Sequence, residues 1–90
     1  MHELILYSRT GCCLCEGLES RLRALDLVGL SITLTVIDID APDTPKAVQA
    51  RYNLEVPVLA LDGGELPRVS PRLSGEGLLN WLQRCLSMAL

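Results

Sequence analysis

An α/β fold with the element order β-α-β-α-β-β-α is predicted by three stretches of the sequence. An apolar run ending at Ser8 passes through a loop holding Gly11 into an amphipathic helical pattern that opens with Cys12, Cys13, Leu14 and Cys15. A second apolar run, Ser31 to Asp40, leads past Pro42 and Pro45 into another helical pattern. A third, Glu55 to Leu61, turns at Asp62, Gly63, Gly64 and Glu65 toward a fourth before a last helix. Ninety residues of which 49% are hydrophobic form one domain, 1–90, with a core of its own and no room for a second.

The first strand is read over Glu3–Ser8, where Ile5 and Tyr7 suit a strand and Arg9, Thr10 and Gly11 end it. In the helix that follows, Cys15, Leu18, Leu22 and Leu25 recur at spacings of three and four. Glu16, Glu19, Ser20, Arg23 and Asp26 fall on the other side, which is the amphipathic signature. Glu19 and Arg23 stand at i,i+4 in the favourable order, worth about 0.3 kcal/mol, and the helix is expected to end between Leu27 and Gly29. Gly17 is a blemish costing up to about 1 kcal/mol relative to alanine.

In the second strand Ile32, Leu34 and Val36 alternate with Thr33 and Thr35, and the phase then switches to Ile37 and Ile39. A strand covered on both faces fits this, as does a bulge near its end. Asp43 or Thr44 is expected to cap the second helix, with Pro45 in its first turn, Val48 and Tyr52 inward and Asn53 at its end. The turn over 62–65 makes a β-hairpin of Glu55–Leu61 and Leu66–Val69. Pro57, which removes a ladder donor, belongs at a first strand position or an edge. Ser74 is expected to cap the last helix, with Leu78, Leu82 and Cys85 on one face and Trp81 alongside.

The chemistry concentrates at the first helix. Cys12 and Cys15 are three apart and share a helix face, whereas Cys13 is turned away, so Cys12 pairs with Cys15. Unpaired N–H groups and the positive end of the dipole at a helix start stabilise an anion and lower a thiol pKa from about 8.5 toward neutrality. Cys12 is therefore the nucleophile. Cys15, on the apolar stripe, is the more buried partner that resolves a mixed disulfide. Arg9, three residues before Cys12, is placed to add positive charge. Buried structural thiols, and a merely solvated Arg9, are the bland readings of the same residues.

A net charge of -3 without a basic cluster argues against nucleic acid or an anionic membrane as partner. The first eight residues lack the charge and length of a signal peptide or span, which makes a cytoplasmic location the expectation. There, four cysteines read as catalytic or metal-binding before structural. Cys85 reads as core and Cys13 as peripheral, Tyr52 and Trp81 as core or half-buried. Asp38, Asp40 and Asp43 read as a strand end followed by a helix cap in preference to a hard-metal site.

With Tyr7 to Cys15 (YSRTGCCLC) after a first strand and Val56-Pro57-Val58 opening the third, nearly the whole chain resembles the glutaredoxin-like branch of the thioredoxin-fold family. The resemblance implies a four-stranded mixed sheet with helices on both faces. It implies that Cys12 is the nucleophile and Cys15 the resolving thiol of a dithiol thiol–disulfide oxidoreductase, with Pro57 a cis-proline beside them. Val56 is then the residue whose backbone pairs with a bound peptide or glutathione. Arg9 stands where many glutaredoxins carry a basic residue near the thiolate or a glutathione carboxylate. Where glutathione-using members have an aromatic before the second cysteine this chain has Leu14, and Glu55 replaces their threonine. Gly63 and Gly64 precede the last strand, where those members have a Gly-Gly after it. The nearest pattern is that of the small Cys-x-Leu-Cys glutaredoxin-like proteins.

Such an enzyme needs no organic cofactor or metal. Its substrate is a disulfide-containing protein or small thiol compound, and its reductant glutathione or a thioredoxin-type reductase. A rival reading makes Cys12, Cys13 and Cys15 ligands to Cu(I), Zn(II) or an iron–sulfur centre shared between two chains. Small copper carriers, however, run β-α-β-β-α-β, and zinc lacks a fourth ligand. His2, the only histidine, lies about 20 Å away at the far end of the first strand. The third reading is a binding module that keeps the fold without turnover.

Overall fold

Leu4 and Leu6 point to one face of the first strand and Ile5 and Tyr7 to the other, so a strand apolar on both faces becomes the middle of the sheet. The computed structural model describes residues 1–88. In it β1 (His2–Ser8) pairs in parallel with β2 (Ile32–Asp38) and antiparallel with β3 (Val58–Leu61), and β3 pairs antiparallel with β4 (Gly64–Glu65). The strand order is β2-β1-β3-β4, a mixed four-stranded sheet.

The helices are α1 (Cys13–Arg23), α2 (Lys46–Tyr52) and α3 (Gly75–Met88). Leu18 and Leu22 of α1 and Leu78, Leu82 and Cys85 of α3 join Leu4, Leu6, Ile32, Leu59 and Leu61 of the strands in one buried cluster. The other face is covered from α2, whose Tyr52 is buried and stacks on Tyr7 with ring centroids 4.5 Å apart. The α/β order and the helices on both faces thus follow the expectation.

Several boundaries differ from it. α1 stops at Arg23, not near Leu27, because the chain tightens: Leu25 donates to the carbonyl of Leu22, and the side chain of Asp26 accepts the N–H of Gly29 ahead of a 3₁₀ turn at Val28–Leu30. β2 carries no bulge, since every residue from His2 to Ser8 has one partner from Ile32 to Asp38. The phase switch has the other cause foreseen, two covered faces: Ile37 stands beside Tyr7, the residue stacked on α2. Pro45 itself is the cap residue of α2, and the hydroxyl of Thr44 instead donates to the carbonyl of Asp38 at 2.7 Å.

The hairpin is shorter than expected. Asp62 and Gly63 take positive φ, 50° and 88°, as a two-residue primed turn requires, and Gly64 and Glu65 are already strand. Leu66 adds one more bond, to the carbonyl of Leu59, and Pro67 has no N–H with which to continue. Leu66 to Val69 is therefore not a strand. Among the described residues no helix is long and apolar enough to cross a membrane.

Candidate active site at the start of α1

β1 ends at Ser8 and the chain reverses over Arg9 to Cys12, the N–H of Cys12 donating to the carbonyl of Arg9 at 3.2 Å. Gly11 sits in the third position of this turn with φ +82°, a conformation that a side chain disfavours. Cys12 follows as the N-cap of α1 in extended geometry, and its Sγ accepts the N–H of Cys15 at 3.2 Å. A sulfur thus occupies the place where serine or aspartate ordinarily satisfies an orphan helix donor. Cys12 and Cys15 are joined as a disulfide with Cα atoms 5.2 Å apart. Cys12 is half-buried and Cys15 fully so, because Cys15 lies on the stripe with Leu18 and Leu22.

Val56 and Pro57 lead into β3, and the peptide bond between them is cis. Pro57 and Leu14 line one groove beside the cysteine pair, which brings the two sequence signals together in space. The guanidinium of Arg68 donates to the carbonyl of Glu55, fixing the residue ahead of Val56 at 3.1 Å.

Arg9 is held by partners far from it in the sequence. Its Nε and Nη2 grip both carboxylate oxygens of Asp40 at 2.6 and 3.1 Å, while Nη1 and Nη2 donate to the backbone and side-chain oxygens of Asn53 at 3.0 and 2.5 Å. Gln49 donates to the same Asp40 at 2.7 Å. These bonds hold the Asp40 carboxyl below its usual range, Arg9 contributing most and Gln49 next, and Asp40 in turn raises Arg9. The network staples the loop before Cys12 to the β2–α2 connection and the end of α2.

Residues 3–83 match the family model described as Glutaredoxin-like domain (DUF836). The chain belongs to that glutaredoxin-like family. No curated protein matches it. Among solved structures, this glutaredoxin-like chain is similar to one described as a malarial protein, at 16% identity and TM-score 0.64, covering 93% of this chain and 96% of that one. It is also similar to thioredoxin 1 from the thermophilic eubacterium Thermosipho africanus TCF52B, at 17% identity and TM-score 0.61, covering 97% of each. At such identities the likeness establishes the thioredoxin fold alone.

Elsewhere in the glutaredoxin-like chain, Cys85 is buried, and burial pushes its thiol pKa up, as suits a core residue. Cys13 is exposed. His2 pairs with Asp62 at 2.6 Å near the far end of β1. Among the described residues no three His, Cys, Asp or Glu side chains are grouped as a metal site. Sequence reasoning missed Asp40 and Asn53 as partners of Arg9, and Arg21 and Arg68 at the groove. For Arg21 a signal was present: it lies seven residues beyond Leu14, on the same helical stripe, four after the glycine that looked like a flaw.

Proposed function

We propose that the protein is a thiol–disulfide oxidoreductase working through Cys12 and Cys15. In the reduced form the Cys12 thiolate attacks one sulfur of a substrate disulfide. That S–S bond breaks, its electron pair leaves on the second sulfur, and this sulfur takes up a proton and departs as a thiol. Cys15 then gives up its proton and attacks Sγ of Cys12. The mixed disulfide breaks, the Cys12–Cys15 bond forms, and the rest of the substrate leaves as a second thiol. Two electrons pass from the cysteine pair to the substrate, and a thiol reductant such as glutathione or a thioredoxin-type reductase returns them.

The reading is carried by one observation, that Sγ of Cys12 is the hydrogen-bond acceptor at the N-cap of α1 with Cys15 bonded to it from the buried side. A charge-assisted bond and the helix dipole both favour the thiolate of the leading cysteine. The cis bond between Val56 and Pro57, with Pro57 lining the groove that Leu14 also lines, supports a role for these two residues in holding an extended substrate backbone. Arg9, with its head group on Asp40 and Asn53, serves as a positioning residue for the loop that carries Cys12.

The test is reduction of a model protein disulfide by the wild-type chain and by Cys12→Ser and Cys15→Ser. Turnover is expected in the wild type alone. The Cys15→Ser protein should accumulate a mixed disulfide with the substrate and the Cys12→Ser protein should not. Equal trapping by both variants, or none by either, removes the assignment.

A further inference from the structure

A groove runs beside the cysteine pair between α1 and the segment after β4. Its apolar lining includes Leu14, Pro57, Val69 and Pro71, and its charged lining is Arg21 and Arg68. Leu14 is 56% exposed, although it lies between the two cysteines, so the groove starts where a substrate disulfide must approach. The protein carries a net charge of -3, yet no acid lines this groove.

Arg21 is held in an unusual way. Its Nε is shut off from solvent and has no hydrogen-bond partner among the described residues. The space it uses comes from Gly17, where a Cβ would stand 3.3 Å from Nη1 of Arg21, a tight contact. The residue that costs α1 some stability therefore lets the guanidinium lie along the helix. Neither Arg21 nor Arg68 belongs to the ion pairs found among the described residues, His2–Asp62, Arg9–Asp40, Arg23–Glu19 and Arg51–Glu65. With its Nε already desolvated and no carboxylate paired with it, the half-buried guanidinium is favourably met by a ligand carboxylate at the part of it that lines the groove.

We propose that this groove binds an extended acidic segment of a substrate protein, adjacent to the disulfide that Cys12 attacks. An apolar side chain of the segment lies against Leu14, Val69 and Pro71, and a carboxylate pairs with Arg21 and Arg68. The inference rests on the oxidoreductase reading and narrows its substrates to proteins with aspartate or glutamate near the reactive cysteine.

The probes are two decapeptides, each with one leucine and one cysteine held as a mixed disulfide with 2-mercaptoethanol. They are identical except for two glutamates or two lysines flanking the leucine. At low salt kcat/KM for the acidic peptide should exceed that for the basic one by about tenfold, and the ratio should shrink as salt rises. Arg68→Glu, on an exposed side chain whose bond to the carbonyl of Glu55 is also lost in Arg68→Gln, should bring the ratio to one or invert it, whereas Arg68→Gln should only reduce it. Arg21→Lys should keep more of the ratio than Arg21→Gln.

Binding of the same peptides to the Cys12→Ser/Cys15→Ser protein, read by fluorescence anisotropy, separates the two claims. Acid-selective binding without any reduction by the wild type upholds the groove and removes the oxidoreductase. Reduction with equal rates for both peptides, unaltered by Arg68→Glu, upholds the oxidoreductase and overturns the groove.

Discussion

The N–H of Cys15 donates to Sγ of Cys12 across 3.2 Å, so the two members of the cysteine pair are also donor and acceptor of the helix cap. One contact does two things. It satisfies an orphan backbone group of α1, and it places a donor against the sulfur that carries charge when the pair is reduced. Anything that moves Cys12 out of the cap position therefore alters fold and reactivity together.

Gly11 is the first such lever. Nothing lies within 4 Å of where its Cβ would be, so Gly11→Ala suffers only from the left-handed backbone at φ +82°. The cost is expected to be about 1–2 kcal/mol. Urea unfolding should show the loss as a lower midpoint with unchanged slope, and the alkylation rate of Cys12 should fall in the same variant.

Acid should dissolve the staple at Arg9. The folded-state pKa of Asp40 lies below the ordinary 3.8, through its bonds from Arg9 and then Gln49. Its contribution to stability is thus complete above that ordinary value and disappears as the pH falls through the lower, folded-state one. The Tm gap between wild type and Asp40→Asn should be level at neutral pH and close only in acid, and salt should narrow it because Asp40 is exposed and Arg9 only half-buried. Arg9→Gln, which also frees Asn53, should lose more. A gap that persists below the folded-state pKa would contradict this.

Leu82 tests the core on which α1 is seated. It is fully buried in the cluster of α1, α3 and the strands, and Leu82→Ala should cost about 2–5 kcal/mol in equilibrium unfolding. The cysteine pair should retain its reactivity in the fraction that remains folded, since Leu82 makes no part of the cap.

The elements most legible in the sequence were those with a strong local pattern. The stripe of Cys15, Leu18 and Leu22 declared α1, and the Asp62-Gly63 turn declared the hairpin. What escaped was decided by contacts between distant segments. Nothing near Arg9 announces that Asp40 and Asn53, 31 and 44 residues away, take up its guanidinium. The end of α1 was lost to Asp26, whose side chain offers the backbone an alternative to another helical turn. Gly17 looked like a helix defect because a one-dimensional pattern cannot register a side chain folded back over it. At the site, the cysteine spacing placed the sulfurs correctly, whereas the groove depends on Arg68 arriving from beyond β4.

The most direct measurement is the titration of Cys12 in the reduced protein, followed by thiolate absorbance in the ultraviolet, with Cys12→Ser as the blank. Capping of α1 by this sulfur predicts a pKa of about 7 or lower. A value at or above the free thiol's, about 8.5, would contradict the claim that the helix start holds an activated nucleophile.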